Sequence, residues 1–250
     1  MMRFLDTVMG IPMSIDIRDG GDHRAAVSEA FAIVHEADAI FSPYLPESEL
    51  SRLNRSELTL ETVSGLFTEA HELASRFAAA SGGVFSLRNA AGEWDLNGLV
   101  KGWAAQRAAD RLKALGLANF CLNAGGDVVA AGSIEPGKAW NVGIRSPQAP
   151  QQMMAVLALS DLAVATSATY ERGEHIIDGR TGRPARGFSS VSVIAPELTT
   201  ADVLATTVFA MGVDGPHWAA ERYPCSVLAQ TENGTLVEAG DLRRWLAPAE

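Results

Sequence analysis

A chain of 250 residues, 47% of them hydrophobic, can bury roughly 70–75% of its extended surface, so one domain spanning residues 1–250 or two closely packed lobes within it both fit. Its 20 Lys and Arg stand against 30 Asp and Glu, a formal net charge of −10, and such a field repels phosphate backbones and anionic headgroups, which excludes nucleic acid as an expected partner. No basic stretch leads into an apolar one near Met1 and no apolar run approaches the about 18 residues that span a bilayer, so neither a leader nor a membrane anchor is expected, and a cytoplasmic location is.

Residues 13–17 alternate in hydrophobicity and end at the turn-rich Asp19-Gly20-Gly21-Asp22, which predicts a strand. Helical spacing follows in Val27, Phe31, Val34 and Phe41, and Phe41-Ser42-Pro43-Tyr44-Leu45-Pro46 breaks it. A second helix turns Val63, Leu66, Phe67, Ala70, Leu73, Ala74 and Phe77 inward and stops at Ser81-Gly82-Gly83. The third covers 101–115, with Gly116 suited to terminate it. Strands are predicted at 120–123, 128–131, 139–144, 153–159 and 190–194, and a helix at 201–211 ending at Gly212. A hairpin closes the series, 226–230 with 235–238 around Asn233-Gly234. Strands and helices mix without strict alternation, so the fold class is α+β, with mixed or antiparallel sheets packed against helices. Cys121 and Cys225 sit in apolar runs with no metal-ligand spacing and read as reduced, buried thiols.

Four segments can carry chemistry, each with a plainer alternative. In Thr199-Thr200-Ala201-Asp202-Val203-Leu204-Ala205-Thr206, Asp202 and Thr206 stand one helical turn apart and offer hard oxygens to Mg²⁺. Thr199 with Asp202 equally matches a capping box. In Asp95-Leu96-Asn97-Gly98-Leu99-Val100-Lys101-Gly102, Gly98 would let a ligand approach the backbone and Lys101 could meet a phosphate. Asp95 as an N-cap and Lys101 as a solvated charge explain the same residues, and the Walker spacing is absent. Asn123-Ala124-Gly125-Gly126-Asp127 suits close contact with a nucleotide or a tight turn alone. In His175-Ile176-Ile177-Asp178-Gly179-Arg180-Thr181-Gly182, His175 could be a general base or a hydrogen-bonded structural residue. His23, His35 and His71 read as surface.

Taken in order, DLNGLVKGWAAQRAADRL, NAGGD, ATSATYE, HIIDGRTGRP and TTADVLATTVFAMG resemble the ApbE family, the FAD:protein FMN transferases. The likeness runs from Met9-Gly10 through residues 41–54 to Gly212, most of the chain. It implies that FAD is split, that FMN is attached by a phosphoester to a Thr or Ser hydroxyl of a target flavoprotein, that AMP leaves, and that Mg²⁺ is required. It further implies Asp202, Thr206 and the carbonyl of Gly98 as metal ligands. Met9, Tyr44, Val84, Phe85, Ser86, Asp95, Lys101 and Ile176 would contact FAD, and His175 would be the catalytic base for the acceptor hydroxyl. An FAD pyrophosphatase, with water as acceptor, and a non-catalytic FAD-binding module are the alternatives. The chain departs from the family's usual residues at Gly179 (commonly Pro), Ser86 (commonly Asp) and Asn97 (commonly Gly), and its 167–175 segment is short.

Overall fold

The computed structural model describes residues 2–149, 151–168 and 176–248. Its elements are β1 (Met2–Val8), β2 (Ile11–Ile17), α1 (Arg24–Phe41), α2 (Glu49–Asn54), α3 (Gly65–Ala80), α4 (Asn97–Ala114), β3 (Phe120–Ala124), β4 (Asp127–Ala131), β5 (Trp140–Arg145), β6 (Met153–Leu159), β7 (Leu162–Ala168), β8 (Ile177–Asp178), β9 (Arg183–Pro184), β10 (Phe188–Ala195), α5 (Leu198–Met211), α6 (Gly215–Arg222), β11 (Ser226–Thr231) and β12 (Leu236–Ala239).

Eight strands form one antiparallel sheet in the order β1-β2-β3-β4-β7-β10-β11-β12. Successive side chains along a strand point to opposite faces, and both faces are used. Ile15, Leu122, Val129, Ala163, Ala165, Val191, Val193 and Val227 join the helices in the larger core. Their neighbours Val128, Ala130, Val164, Ile194 and Leu228 meet Trp140, Ile144, Leu157 and Leu159 of the β5–β6 hairpin in a smaller core on the reverse. The α+β class follows from this layering of helices on an antiparallel sheet.

The amphipathic helices arise as their patterns predict. In α3 the side chain of Ser64 caps the start by accepting the Phe67 N–H, and Phe67, Ala70 and Ala74 are buried. The hairpin β11–β12 turns at Gly234, at φ +88°. The third helix begins at Asn97 rather than 101, so Gly98 and Lys101 both lie within it. Four strands and two helices escape the sequence patterns: β1, β7, the two-residue β8 and β9, α2 and α6. β1 is an edge strand with Leu5 exposed, and β7 is alanine-rich and sandwiched between both cores. No helix among the described residues is long and apolar enough to cross a membrane.

Candidate active site

The site is built where α4 crosses α5 beneath the ends of β4 and β7. Both helices present small residues at the crossing. A Cβ placed on Gly98 would lie 3.3 Å from Thr206 Cγ2 and 2.9 Å from the Phe85 ring; one on Gly102 would lie 2.6 Å from Asp202 Cβ and 2.8 Å from the Leu198 carbonyl oxygen. Residues 98 and 102, one turn apart on α4, thus face residues 206 and 202, one turn apart on α5. The helices approach closely because glycine stands at both places.

The capping alternative for Asp202 does not hold. The helix start lies at Leu198, the cap position is Glu197 without a side-chain bond, and the Leu198 N–H donates instead to Gln106 Oε1 at 2.7 Å. Asp202 lies a full turn inside α5, and its Oδ2 accepts the Gly102 N–H at 2.8 Å. Nor is Lys101 a solvated charge. Its Nζ pairs with Asp127 Oδ2 at 2.5 Å and with Asp202 Oδ1 at 3.6 Å. Asp95 does serve the helix start, accepting the Asn97 N–H through Oδ1 at 2.8 Å, although Leu96 occupies the cap position.

Two buried carboxylates therefore confront one ammonium. Burial pushes the Asp202 carboxyl up to about 7; the Lys101 charge pulls it down, the Asp127 charge raises it further, and the Gly102 N–H opposes the rise. Thr206 Oγ1 lies 3.2 Å from Ser167 Oγ on β7, adding a second hydroxyl beside the carboxylate. The glycine pair after β3 is a two-residue turn, with Gly125 at φ +63° and Gly126 at φ +109°. That turn sets Asp127 at the first position of β4, where its Oδ1 accepts the Thr166 N–H at 3.0 Å.

A cavity of about 1110 Å³ opens above this cluster, just beyond the range of roughly 300–1,000 Å³ common for small-molecule sites. It is lined by Met9, Tyr44, Val84, Phe85, Ser86, Asp95, Gly98, Lys101, Ile176, Asp202 and Thr206, so all the expected site residues but one share a single space. His175 lies outside the described residues. Met9 reaches the cavity from the tip of the β1–β2 hairpin, where it holds φ +55°, a conformation rare for a residue with a side chain. Tyr44 stands at the mouth, largely exposed. The wall at 84–86 is tied to the β8–β9 turn, because the Gly179 N–H donates to the Val84 carbonyl at 2.9 Å.

Sequence reasoning gave no role to Asp127, Ser167 or Gly102. Asp127 and Ser167 stand inside the motifs NAGGD and ATSATYE, but nothing in their spacing ties them to Lys101 or Thr206. Of the histidines read as surface, His35 is exposed, whereas His23 and His71 are half-buried, the His71 ring edge-on to Trp94 at 5.2 Å. Both cysteines are free thiols, and burial raises Cys121 to about 12 and Cys225 to about 11.

The model of the ApbE family matches residues 9–91 and 86–229. Among curated proteins, the FAD:protein FMN transferase of Haemophilus influenzae is 30% identical over 158 residues, covering 58% of this chain and 46% of that protein. That of Rhodobacter capsulatus is 35% identical over 171 residues, 65% of this chain and 32% of the relative. The chain thus spans about half, or less, of the length of the curated relatives it matches. The flavin transferase ApbE structure from Vibrio cholerae superposes with a TM-score of 0.85 at 23% identity, over 98% of this chain and 99% of that one. The apo flavinyl transferase ApbE of Pseudomonas stutzeri gives 0.85 at 20% identity, over 100% and 97%. At such identities the agreement is one of fold.

Proposed function

This chain belongs to the ApbE family, and from that premise we propose that it transfers the FMN half of FAD to a Thr or Ser hydroxyl of a target protein. The acceptor oxygen bonds to the FMN phosphorus, the pyrophosphate bond breaks, and AMP departs with the bridging oxygen. The curated relatives that match the chain carry the name of this activity. The observation that carries the reading is the wall of the large cavity: Gly98, Lys101, Asp202 and Thr206 stand together there, beneath a space of dinucleotide scale.

Mg²⁺ fits the residues present. Asp127 and Asp202 outweigh the charge of Lys101 in a buried cluster, and a carboxylate with an adjacent hydroxyl is the hard-oxygen set that Mg²⁺ prefers. Asp202, Thr206 and the Gly98 carbonyl would hold it. When bound, the ion would neutralise charge on the pyrophosphate and polarise it. Lys101 adds a second positive charge at the same wall and offsets the unfavourable field of a chain at −10. Asp95 and Ser86 offer polar contacts to the dinucleotide. Met9, Val84, Phe85, Ile176 and the mouth residue Tyr44 give the dinucleotide apolar contact surface, and water displaced by bound FAD would favour a protein hydroxyl over hydrolysis. His175 takes the proton of the acceptor hydroxyl in this reading, on the strength of the family resemblance alone. The functional unit is one domain spanning the chain, acting in the cytoplasm, a reducing compartment that suits two free thiols.

The test is incubation with FAD, Mg²⁺ and candidate target flavoproteins, followed by denaturing electrophoresis. Flavin fluorescence that survives denaturation and disappears with chelator supports the transferase. Rapid AMP release without any acceptor would replace it with a pyrophosphatase, and FAD retained without turnover in every combination would leave a binding module.

A further inference from the structure

We propose that Asp127 is a positioning residue that acts through Lys101, anchoring its ammonium at the cavity wall so that it meets the phosphates of the dinucleotide. The proposal rests on the functional reading above and gives a specific part to a residue that the reading counts only for its charge.

Asp127 does not line the cavity; it stands behind it, with its side chain only 3% exposed. A carboxylate so deeply buried is costly unless each oxygen is engaged. Oδ1 accepts the Thr166 N–H across the end of the β4–β7 ladder, which fixes the plane of the group and directs Oδ2 towards Lys101, 2.5 Å away. The neighbouring carboxylate is engaged differently. Asp202 gives Oδ2 to the Gly102 N–H, and its Oδ1 stays 3.6 Å from the same ammonium, beyond hydrogen-bond reach. Of the two carboxylates, Asp127 therefore makes the close ion pair with Lys101 and Asp202 stands farther from it.

The inequality has a chemical use. A lysine ammonium on four methylenes is a mobile point charge, and a site that must meet a phosphate at one place has to restrain it. If Asp202 supplied the restraint, the lysine would compete with any cation for that carboxylate. Restraint from Asp127 leaves Asp202 Oδ1 to face the cavity. The backbone supports the division: the Gly125-Gly126 turn places Asp127 at the start of β4, and α4 carries Lys101 from the opposite side.

The experiment is equilibrium FAD binding in chelator, where no divalent cation contributes, read by quenching of flavin fluorescence. Wild type, Asp127→Asn, Lys101→Met and the double variant form a cycle. Asn retains an oxygen for the Thr166 N–H but loses the charge that grips Lys101. Asp127→Asn is expected to weaken FAD binding about tenfold and Lys101→Met at least as much, with the double variant no weaker than Lys101→Met alone. Binding by Asp127→Asn equal to wild type, or losses that add in the double variant, overturns the proposal while leaving the functional reading intact. Wild type that binds no FAD overturns both. A measurement on the unaltered protein guards against misfolding of the variants. The Lys101 ammonium, observed by ¹⁵N NMR, should exchange slowly with water and keep its coupling to the Asp127 carboxyl carbon when FAD is added. Loss of that coupling on addition of FAD also overturns the assignment.

Discussion

The backbone N–H of Gly102 donates to Asp202 Oδ2 at 2.8 Å, so that one helix holds the carboxylate of the other. The contact needs residue 102 to lack a side chain, because a Cβ there would sit 2.6 Å from Asp202 Cβ and 2.8 Å from the Leu198 carbonyl. Carboxylate orientation and helix spacing therefore depend on the same glycine.

Gly102→Ala should destabilise the protein by about 1–3 kcal/mol, the usual cost of overpacking a tight core. Its new methyl meets backbone and the first side-chain atom of Asp202, neither of which can swing away. Gly98→Ala should cost less, since the nearest obstacle is the edge of the Phe85 ring at 2.9 Å, which can rotate. Urea unfolding midpoints rank the two, and equal or reversed losses would refute this account of the crossing.

Asp202 also leaves a signature in pH. Its carboxyl is ordinary at 3.8 in the unfolded chain and is pushed to about 7 by burial in the folded one. The folded protein binds this proton more tightly, so the stability it contributes is fully present below about pH 4 and is lost as pH rises through about 7. Asp202→Asn cannot titrate. In chelator, the melting temperature of Asp202→Asn relative to wild type should climb between about pH 4 and pH 7 and then level. A difference that stays flat across that window would mean that the carboxyl is not held as described. Comparing the two proteins cancels the opposing trend from surface carboxylates such as Asp22 and Asp178, which Arg24 and Arg180 hold low.

How much of this was legible in the sequence depends on the range of the interaction. The turn at Asn233-Gly234 and the stripe of Phe67, Ala70 and Ala74 are local patterns, and both elements form where they predict. β7 left no such trace: Ala163 and Ala165 face one core and Val164 the other, so polar alternation is missing. Asp202 and Thr206 were visible as a pair because i and i+4 share a helix face. Their partners Gly102 and Ser167 were not, since each contact joins residues far apart in the chain. Asp127 sat in a recognised motif without a role, because its role exists only once β4 stands beside α4.

Thr206→Val keeps the branched shape that packs near Gly98 and removes the hydroxyl beside Ser167. Stability should change by less than about 1 kcal/mol, as no buried partner is stranded among fixed groups. Mg²⁺ affinity in the presence of FAD, followed by titration calorimetry, should fall at least about tenfold if Thr206 is a ligand. An unchanged affinity would remove Thr206 from the metal site and leave it a packing residue.

Gly179 concerns the opposite wall. Where the family commonly carries Pro, this chain has a glycine whose N–H donates to the buried Val84 carbonyl and where an added Cβ would run into the Gly83 carbonyl. A Cβ there would also lie 2.8 Å from Ser86 Cβ and 3.1 Å from the Val84 oxygen. Gly179→Pro adds bulk and strands the Val84 carbonyl, so the combined cost should be about 2–4 kcal/mol. Gly179→Ala keeps the donor and should cost about 1–3 kcal/mol, from crowding alone. Because Val84, Phe85 and Ser86 line the cavity, both variants should weaken FAD binding, with Pro the worse by about tenfold. Thermal denaturation and fluorescence titration of the three proteins decide it. If Pro is accepted without loss of stability, the 83–86 wall and the β8–β9 turn are not coupled through this amide, and the departure from the family at position 179 is neutral.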